Sequence, residues 1–268
     1  MPYAPLPDGQ LHYSLEGDAG KPVLILSNSL GTSFDMWAPQ MAQFTQAFQV
    51  LRYDTRGHGK SSVTPGPYSM AQLAGDVVDL MDHLGIDQAH FCGLSMGGQT
   101  GIALALHHPG RLRKLVLCNT AAYIGPPANW IARIAAVEAD GVAPLAPAVV
   151  ARWLTPGYAA LHPDTVAALE TMLRATPPAG YAAACAAVRD ADFRDQVAQI
   201  TAATLVIAGS GDLPTPPADG QFLQQHIAGA RYVELDAAHL SNQEQVSAFA
   251  SAVVDFLTAP PPLSRRQA

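Results

Sequence analysis

Charge is what this sequence has least of. Only 14% of its 268 residues are Asp, Glu, Lys or Arg, and the balance is acidic, with a formal charge of −7. Nucleic acids and anionic membrane surfaces recruit proteins through basic faces. Neither is expected as a partner for a chain whose basic cluster is limited to Arg111, Arg113 and Lys114, just ahead of an apolar run. Cysteine is scarce as well. Cys92, Cys118 and Cys185 are odd in number and lack metal-ligand spacing, which excludes a disulfide framework and a cysteine-based metal site. No apolar run approaches the roughly 18 residues of a membrane span. The stretch "MPYAPLPDGQ" lacks the basic region and apolar core of a signal peptide. These absences lead to the expectation of a soluble protein of the reducing cytoplasm, with no membrane partner.

Apolar residues, in contrast, make up 49% of the chain, ample for one large core. They come in short runs separated by segments of helical period. "PVLIL", "QVLRYD", "AHFCGL", "KLVLCNT", "TLVIAG" and "RYVELD" read as strands buried on both faces, the pattern of a parallel sheet covered by helices. "LHYSLEG" alternates instead and is expected to be an antiparallel edge strand. The interval 122–192 is rich in Ala and Pro, reads as several short helices, and is too long for a bare loop. The expected organisation is an α/β core over 1–121 and 193–258, an inserted helical cap over 122–192, and a flexible Pro-rich tail over 259–268.

One motif dominates. In "HFCGLSMGGQTG", Gly93-x-Ser95-x-Gly97 directly follows an apolar run and directly precedes a helical one. Strand, sharp turn and helix are the context of a nucleophile elbow, which lifts a serine hydroxyl above a sheet at a helix N-terminus. A serine needs a base and an orienting acid, in the chain order Ser, acid, His on such a scaffold. His226 sits inside a helical pattern, whereas His239 sits just beyond "RYVELD" on the loop before the final helix, so His239 is the candidate base. Asp212, just beyond "TLVIAG", is the candidate acid. Asp236, only three residues from His239, and Asp219, inside the following helix, are weaker alternatives.

Taken together, "GLSMGG", "GSGD" and the late "AAH" resemble the α/β-hydrolase superfamily over nearly the whole chain, as does "DTRGHGKS" at 54–61. The resemblance implies an α/β-hydrolase fold: a mostly parallel eight-stranded sheet with helices on both faces and an inserted helical cap. Serine at position 95 separates the chain from relatives that use an aspartate nucleophile there. Within the superfamily, "LSNSLGTSFDMW", "RYDTRGHGKS", "TPPADG" and "AHLSNQEQ" are similar to the 3-oxoadipate enol-lactonases. Asn28-Ser29 stands where most members carry His-Gly, and the next residue, Leu30, is expected to pair its backbone N–H with that of Met96 in an oxyanion hole.

That resemblance implies hydrolysis of a small carboxylated enol-lactone in aromatic catabolism, through an acyl-enzyme, with no metal or organic cofactor. The substrate carboxylate then needs a cation. Arg133, Arg152, Arg174, Arg189 and Arg194 are the arginines of the helical insertion, and Arg133, amid apolar residues of a helix, is the one expected to face the pocket. Trp153 is a second candidate for the pocket wall. Small-ester carboxylesterases, C–C hydrolases, perhydrolases and ligand-sensing binders with a slow triad use the same scaffold, and all stay open at this level.

Overall fold

The computed structural model describes residues 2–260, so the tail expected at 259–268 lies, from residue 261 onward, outside the described residues. Eight strands are found among them: β1 (Tyr3–Leu6), β2 (Gly9–Glu16), β3 (Val23–Ser27), β4 (Gln49–Tyr53), β5 (Ala89–Leu94), β6 (Leu112–Cys118), β7 (Ala203–Gly209) and β8 (Arg231–Leu235). They form one sheet in the order β1-β2-β4-β3-β5-β6-β7-β8, parallel from β4 to β8 and antiparallel at β1 and β2. All six residues of β5 and the last four of β6 are buried, which is why their sequence runs apolar without alternation.

The α-helices are α1 (Met41–Ala47), α2 (Met70–His83), α3 (Met96–His107), α4 (Pro127–Asp140), α5 (Ala146–Val150), α6 (Pro156–Leu161), α7 (Pro163–Arg174), α8 (Pro178–Asp190), α9 (Pro217–His226), α10 (Ser241–Glu244) and α11 (Val246–Thr258). Parallel crossovers are right-handed. The step from β3 to β4 runs along the sheet in the opposite sense to those from β4 to β5, β5 to β6 and β7 to β8, so α1 lies on one face and α2, α3 and α9 on the other. Consistently, α1 packs with α11 and α2 with α3. The interval between β6 and β7 carries α4 to α8. Its ends are fastened together by a bridge between Tyr123 and Asp192 and by the Phe193 N–H donating to the Ala122 carbonyl at 2.9 Å.

The edge of the sheet differs from expectation. β2, from "LHYSLEG", is not an edge strand: β1 pairs along it, and residues 11–14 are all buried. β1 contains Pro5, which lacks a ladder donor and therefore suits an edge. Proline is depleted in strands, so the prolines at 2, 5 and 7 hide this one in the sequence.

The "DTRGHGKS" segment braces the loops beyond the sheet. Asp54 accepts from His12 Nδ1 at 2.7 Å and from the N–H groups of Phe34 and Lys60, both at 2.9 Å. Burial pushes the His58 pKa down, and the neutral ring accepts the Gly31 N–H at Nε2, 3.0 Å away. Arg56 grips Asp76 with two hydrogen bonds, at 2.8 and 2.6 Å, with both side chains buried. Removing one partner of a buried pair strands the other's charge, at about 3–5 kcal/mol. Asp76→Ala is therefore expected to lower the unfolding free energy by about 3 kcal/mol in urea titration, with Asp8 and Thr64 keeping part of the Arg56 contacts. A loss below about 1 kcal/mol, the scale of a surface pair, would contradict this role.

Candidate active site

Ser95, Asp212 and His239 all lie just beyond the C-terminal ends of parallel strands, where open α/β sheets bind ligands. Ser95 closes β5 in a conformation rare for a side-chain-bearing residue, φ 59° and ψ −116°. Its N–H donates to the Cys118 carbonyl at 2.9 Å. Its carbonyl accepts from the Gln99 N–H at 3.1 Å and the Thr120 hydroxyl at 2.7 Å. The flanking glycines permit the turn by close approach: a Cβ on Gly93 would stand 2.1 Å from the Gly97 carbonyl oxygen, and one on Gly97 would stand 2.3 Å from that of Ser27.

This approach brings the loop after β3 against the N-terminus of α3. The register agrees, since Ser27 of β3 faces Gly93 of β5. Asn28 is locked from both ends, its amide donating to the Tyr53 carbonyl at 2.7 Å and its oxygen accepting from Trp37 Nε1 at 2.9 Å. Gly31 is held by His58. Among the described residues, the N–H groups of Leu30 and Met96 have no hydrogen-bond acceptor.

Asp212 follows β7 and His239 follows β8, and the two meet: His239 Nδ1 lies 3.0 Å from both oxygens of Asp212. Burial pushes the Asp212 pKa up, but the facing His239 together with donation from the Thr215 N–H and the Asn119 amide outweighs it, and the carboxyl stays below its ordinary range. The Thr215 N–H and hydroxyl reach Asp212 at 3.0 and 2.9 Å, and the Asn119 amide at 3.0 Å. Ser95, buried to 8% exposure, lines the same cavity as His239, with no hydrogen bond between the two side chains within 3.5 Å among the described residues. The alternatives lie elsewhere: Asp236 is exposed with Ser210 as its side-chain neighbour, and His226 is exposed at the end of α9.

The cavity is roofed by the insertion. Arg133 and Trp153 line it, as do Trp130, Arg152 and Tyr181. Arg133 stacks over Trp130, 4.9 Å from the ring centre. Arg174, Arg189 and Arg194 pair with Glu170, Asp190 and Asp192, whereas neither Arg133 nor Arg152 has a carboxylate within 4.0 Å among the described residues.

Asn119, Thr215 and Arg152 were not singled out from sequence. Asn119 ends the β6 run as an ordinary turn residue would, but it adopts φ 46°, reaching Asp212 and accepting from the Ser241 hydroxyl at 2.6 Å. Its position at a strand end, like those of Ser95, Asp212 and His239, was the available signal. Thr215 was concealed in a "PTPP" turn.

These features define a class. The chain belongs to the alpha/beta hydrolase fold family, whose sequence profile matches residues 22–245. It is 47% identical over 246 residues, 92% of each chain, to 3-oxoadipate enol-lactonase 2 of Acinetobacter baylyi. It is 41% identical to 3-oxoadipate enol-lactonase 1 of that organism, over 89% of this chain and 90% of the relative. The crystal structure of the enol-lactonase from Burkholderia xenovorans LB400 superposes with a TM-score of 0.95 at 49% identity, covering 96% of this chain and 100% of that one.

Asp219, in the first turn of α9, is pushed up to about 6 by burial and then by the Asp212 charge. Its folded pKa exceeds the unfolded value near 3.9. The folded state thus holds the proton more tightly, and stability falls as pH rises from about 4 to about 6. Asp219→Asn is expected to raise the melting temperature at pH 7.5 and to match the wild type near pH 4 when thermal melts are compared. A variant less stable than wild type at pH 7.5 would contradict this.

Proposed function

We propose that the chain is a 3-oxoadipate enol-lactonase: a hydrolase that opens a small carboxylated enol-lactone to 3-oxoadipate through a Ser95–His239–Asp212 triad. The observation that carries the reading is the pair of arginines without carboxylate partners, Arg133 and Arg152, on the wall of the cavity that Ser95 and His239 also line. Arg133 is half-buried and Arg152 exposed, so from the cavity wall either can offer a substrate carboxylate two parallel N–H donors. The relatives at 47% and 41% identity bear that activity in their names.

In this mechanism His239 Nε2 takes the Ser95 proton as Oγ attacks the lactone carbonyl. Asp212, held ionised at Nδ1, fixes the tautomer and stabilises the imidazolium. The N–H groups of Leu30 and Met96 receive the oxyanion, each donor being worth about 3 kcal/mol in the transition state. Collapse breaks the ring C–O bond. The leaving enolate takes the proton from His239 and tautomerises to a ketone that stays attached to the acyl chain. Water, deprotonated by His239, then attacks the acyl carbonyl, and Ser95 departs with that proton, leaving the diacid. The open contact between Ser95 and His239 suits a site whose catalytic hydrogen bonds tighten when substrate binds.

An enol ester already has a good leaving group, so the residues suffice without a metal or an organic cofactor. The reading places the chain in aromatic-compound catabolism by the β-ketoadipate route, with the helical insertion acting as a cap over the active site. Cys92, Cys118 and Cys185 are free and buried, which suits a reducing cytoplasm.

Ser95→Ala is expected to lower kcat by about 10⁴-fold or more, read as loss of enol-lactone ultraviolet absorbance, with the melting temperature retained. Substantial residual turnover would refute the nucleophile assignment. Arg133→Ala and Arg152→Ala are each expected to raise KM for the lactone about tenfold, the worth of a charge-assisted hydrogen bond. Unchanged KM in both would refute the carboxylate site.

A further inference from the structure

The loop that carries His239 is fastened to the insertion on both sides of the histidine. On one side, the Leu240 N–H donates to the Trp153 carbonyl at 2.9 Å. On the other, the Ala238 N–H donates at 2.7 Å to Glu244 Oε1, which also accepts the Thr155 N–H at 3.1 Å. The second oxygen of Glu244 accepts the Thr155 hydroxyl at 2.5 Å. Glu244 is half-buried and has no basic partner within 4.0 Å among the described residues. It therefore does not act as half of an ion pair. Both oxygens are used to gather N–H and O–H donors from the His239 loop and from a segment nearly ninety positions earlier in the chain.

That segment is also part of the cavity wall, since Arg152 and Trp153 line the cavity immediately before Thr155. The far side of the loop is held by the core: Gln40 Nε2 donates to the Asn242 carbonyl at 2.6 Å, and Asn242 Nδ2 to the Met36 carbonyl at 2.9 Å. The histidine thus stands between a fixed anchor and a strut whose other end lines the cavity.

We propose that Glu244 is a positioning residue, and that through the 152–155 strut it couples engagement of the substrate carboxylate by the insertion to the placement of His239. This rests on the lactonase reading and extends it: binding at a remote group is converted into turnover rather than into affinity alone. A rigid staple without coupling would stabilise the fold but leave the choice between substrates unchanged.

The test measures kcat and KM of wild type, Glu244→Ala and Glu244→Gln on the carboxylated enol-lactone and on p-nitrophenyl acetate, which has no carboxylate for the insertion to hold. Glu244→Ala is expected to lower kcat on the lactone about tenfold or more, with a much smaller change in KM and a smaller loss on p-nitrophenyl acetate. Glu244→Gln, which keeps the shape and one acceptor, is expected to recover most of the difference. An equal loss on both esters, or a lower melting temperature with unchanged kcat, would overturn the coupling. Should Glu244→Ala fail to fold, Thr155→Val removes one arm of the clasp and is expected to reduce the preference for the lactone about threefold; an unchanged preference would overturn the proposal. A wild-type protein inert toward the lactone but active on p-nitrophenyl acetate would sink the substrate reading and the coupling with it, whereas a wild-type lactonase with unselective Glu244 variants would sink the coupling alone.

Discussion

The site depends first on a backbone contact that only glycine permits. Gly97, at the start of α3, lies so near the Ser27 carbonyl that no side chain fits between them. That contact sets the distance between the loop after β3 and the turn at Ser95, and so the distance between the N–H groups of Leu30 and Met96. Ser95 itself sits at φ 59°, a conformation that costs on the order of 1–3 kcal/mol unless its surroundings over-determine it. Hydrogen bonds from its N–H to Cys118 and to its carbonyl from Thr120 supply that over-determination from β6 and the residues just beyond it.

The electrostatics follow from the same edge of the sheet. A carboxylate as buried as Asp212 would ordinarily take up a proton; three neighbours from three different strand ends keep it charged. Asn119 comes from β6, Thr215 from the turn after β7, and His239 from the loop after β8. Because those donors belong to separate elements, the ionised form requires the whole sheet edge to be assembled. Across the cavity the insertion presents the opposite sign, with Arg133 and Arg152 lacking carboxylate neighbours. Positive charge on the insertion thus faces the serine across the cavity.

The parts of this arrangement that follow from local chemistry could be read from the sequence. Buried parallel strands are apolar throughout, so β3 to β7 were legible, and residues just after such runs must lie at one edge of the sheet. That geometry singled out Ser95, Asp212 and His239, which the structure brings to the same sheet edge. β1 was missed because Pro5 masks a strand that needs no ladder donor at that position, and as a result β2 was misread as the edge. Asn119 was missed because an asparagine after a strand reads as a turn, and its orientation toward Asp212 is a tertiary fact. Arg152 was not distinguished from its neighbours because which arginines find a carboxylate depends on how the helices of the insertion pack.

In the proposed reaction, the arginines of the cavity wall hold a negative charge carried by the substrate itself. The most direct measurement is kcat/KM for 3-oxoadipate enol-lactone against its methyl ester, with the same reacting ring and no charge. A preference for the free acid of about tenfold or more is expected; equal rates, or a preference for the methyl ester, would rule out a carboxylate site in the cavity.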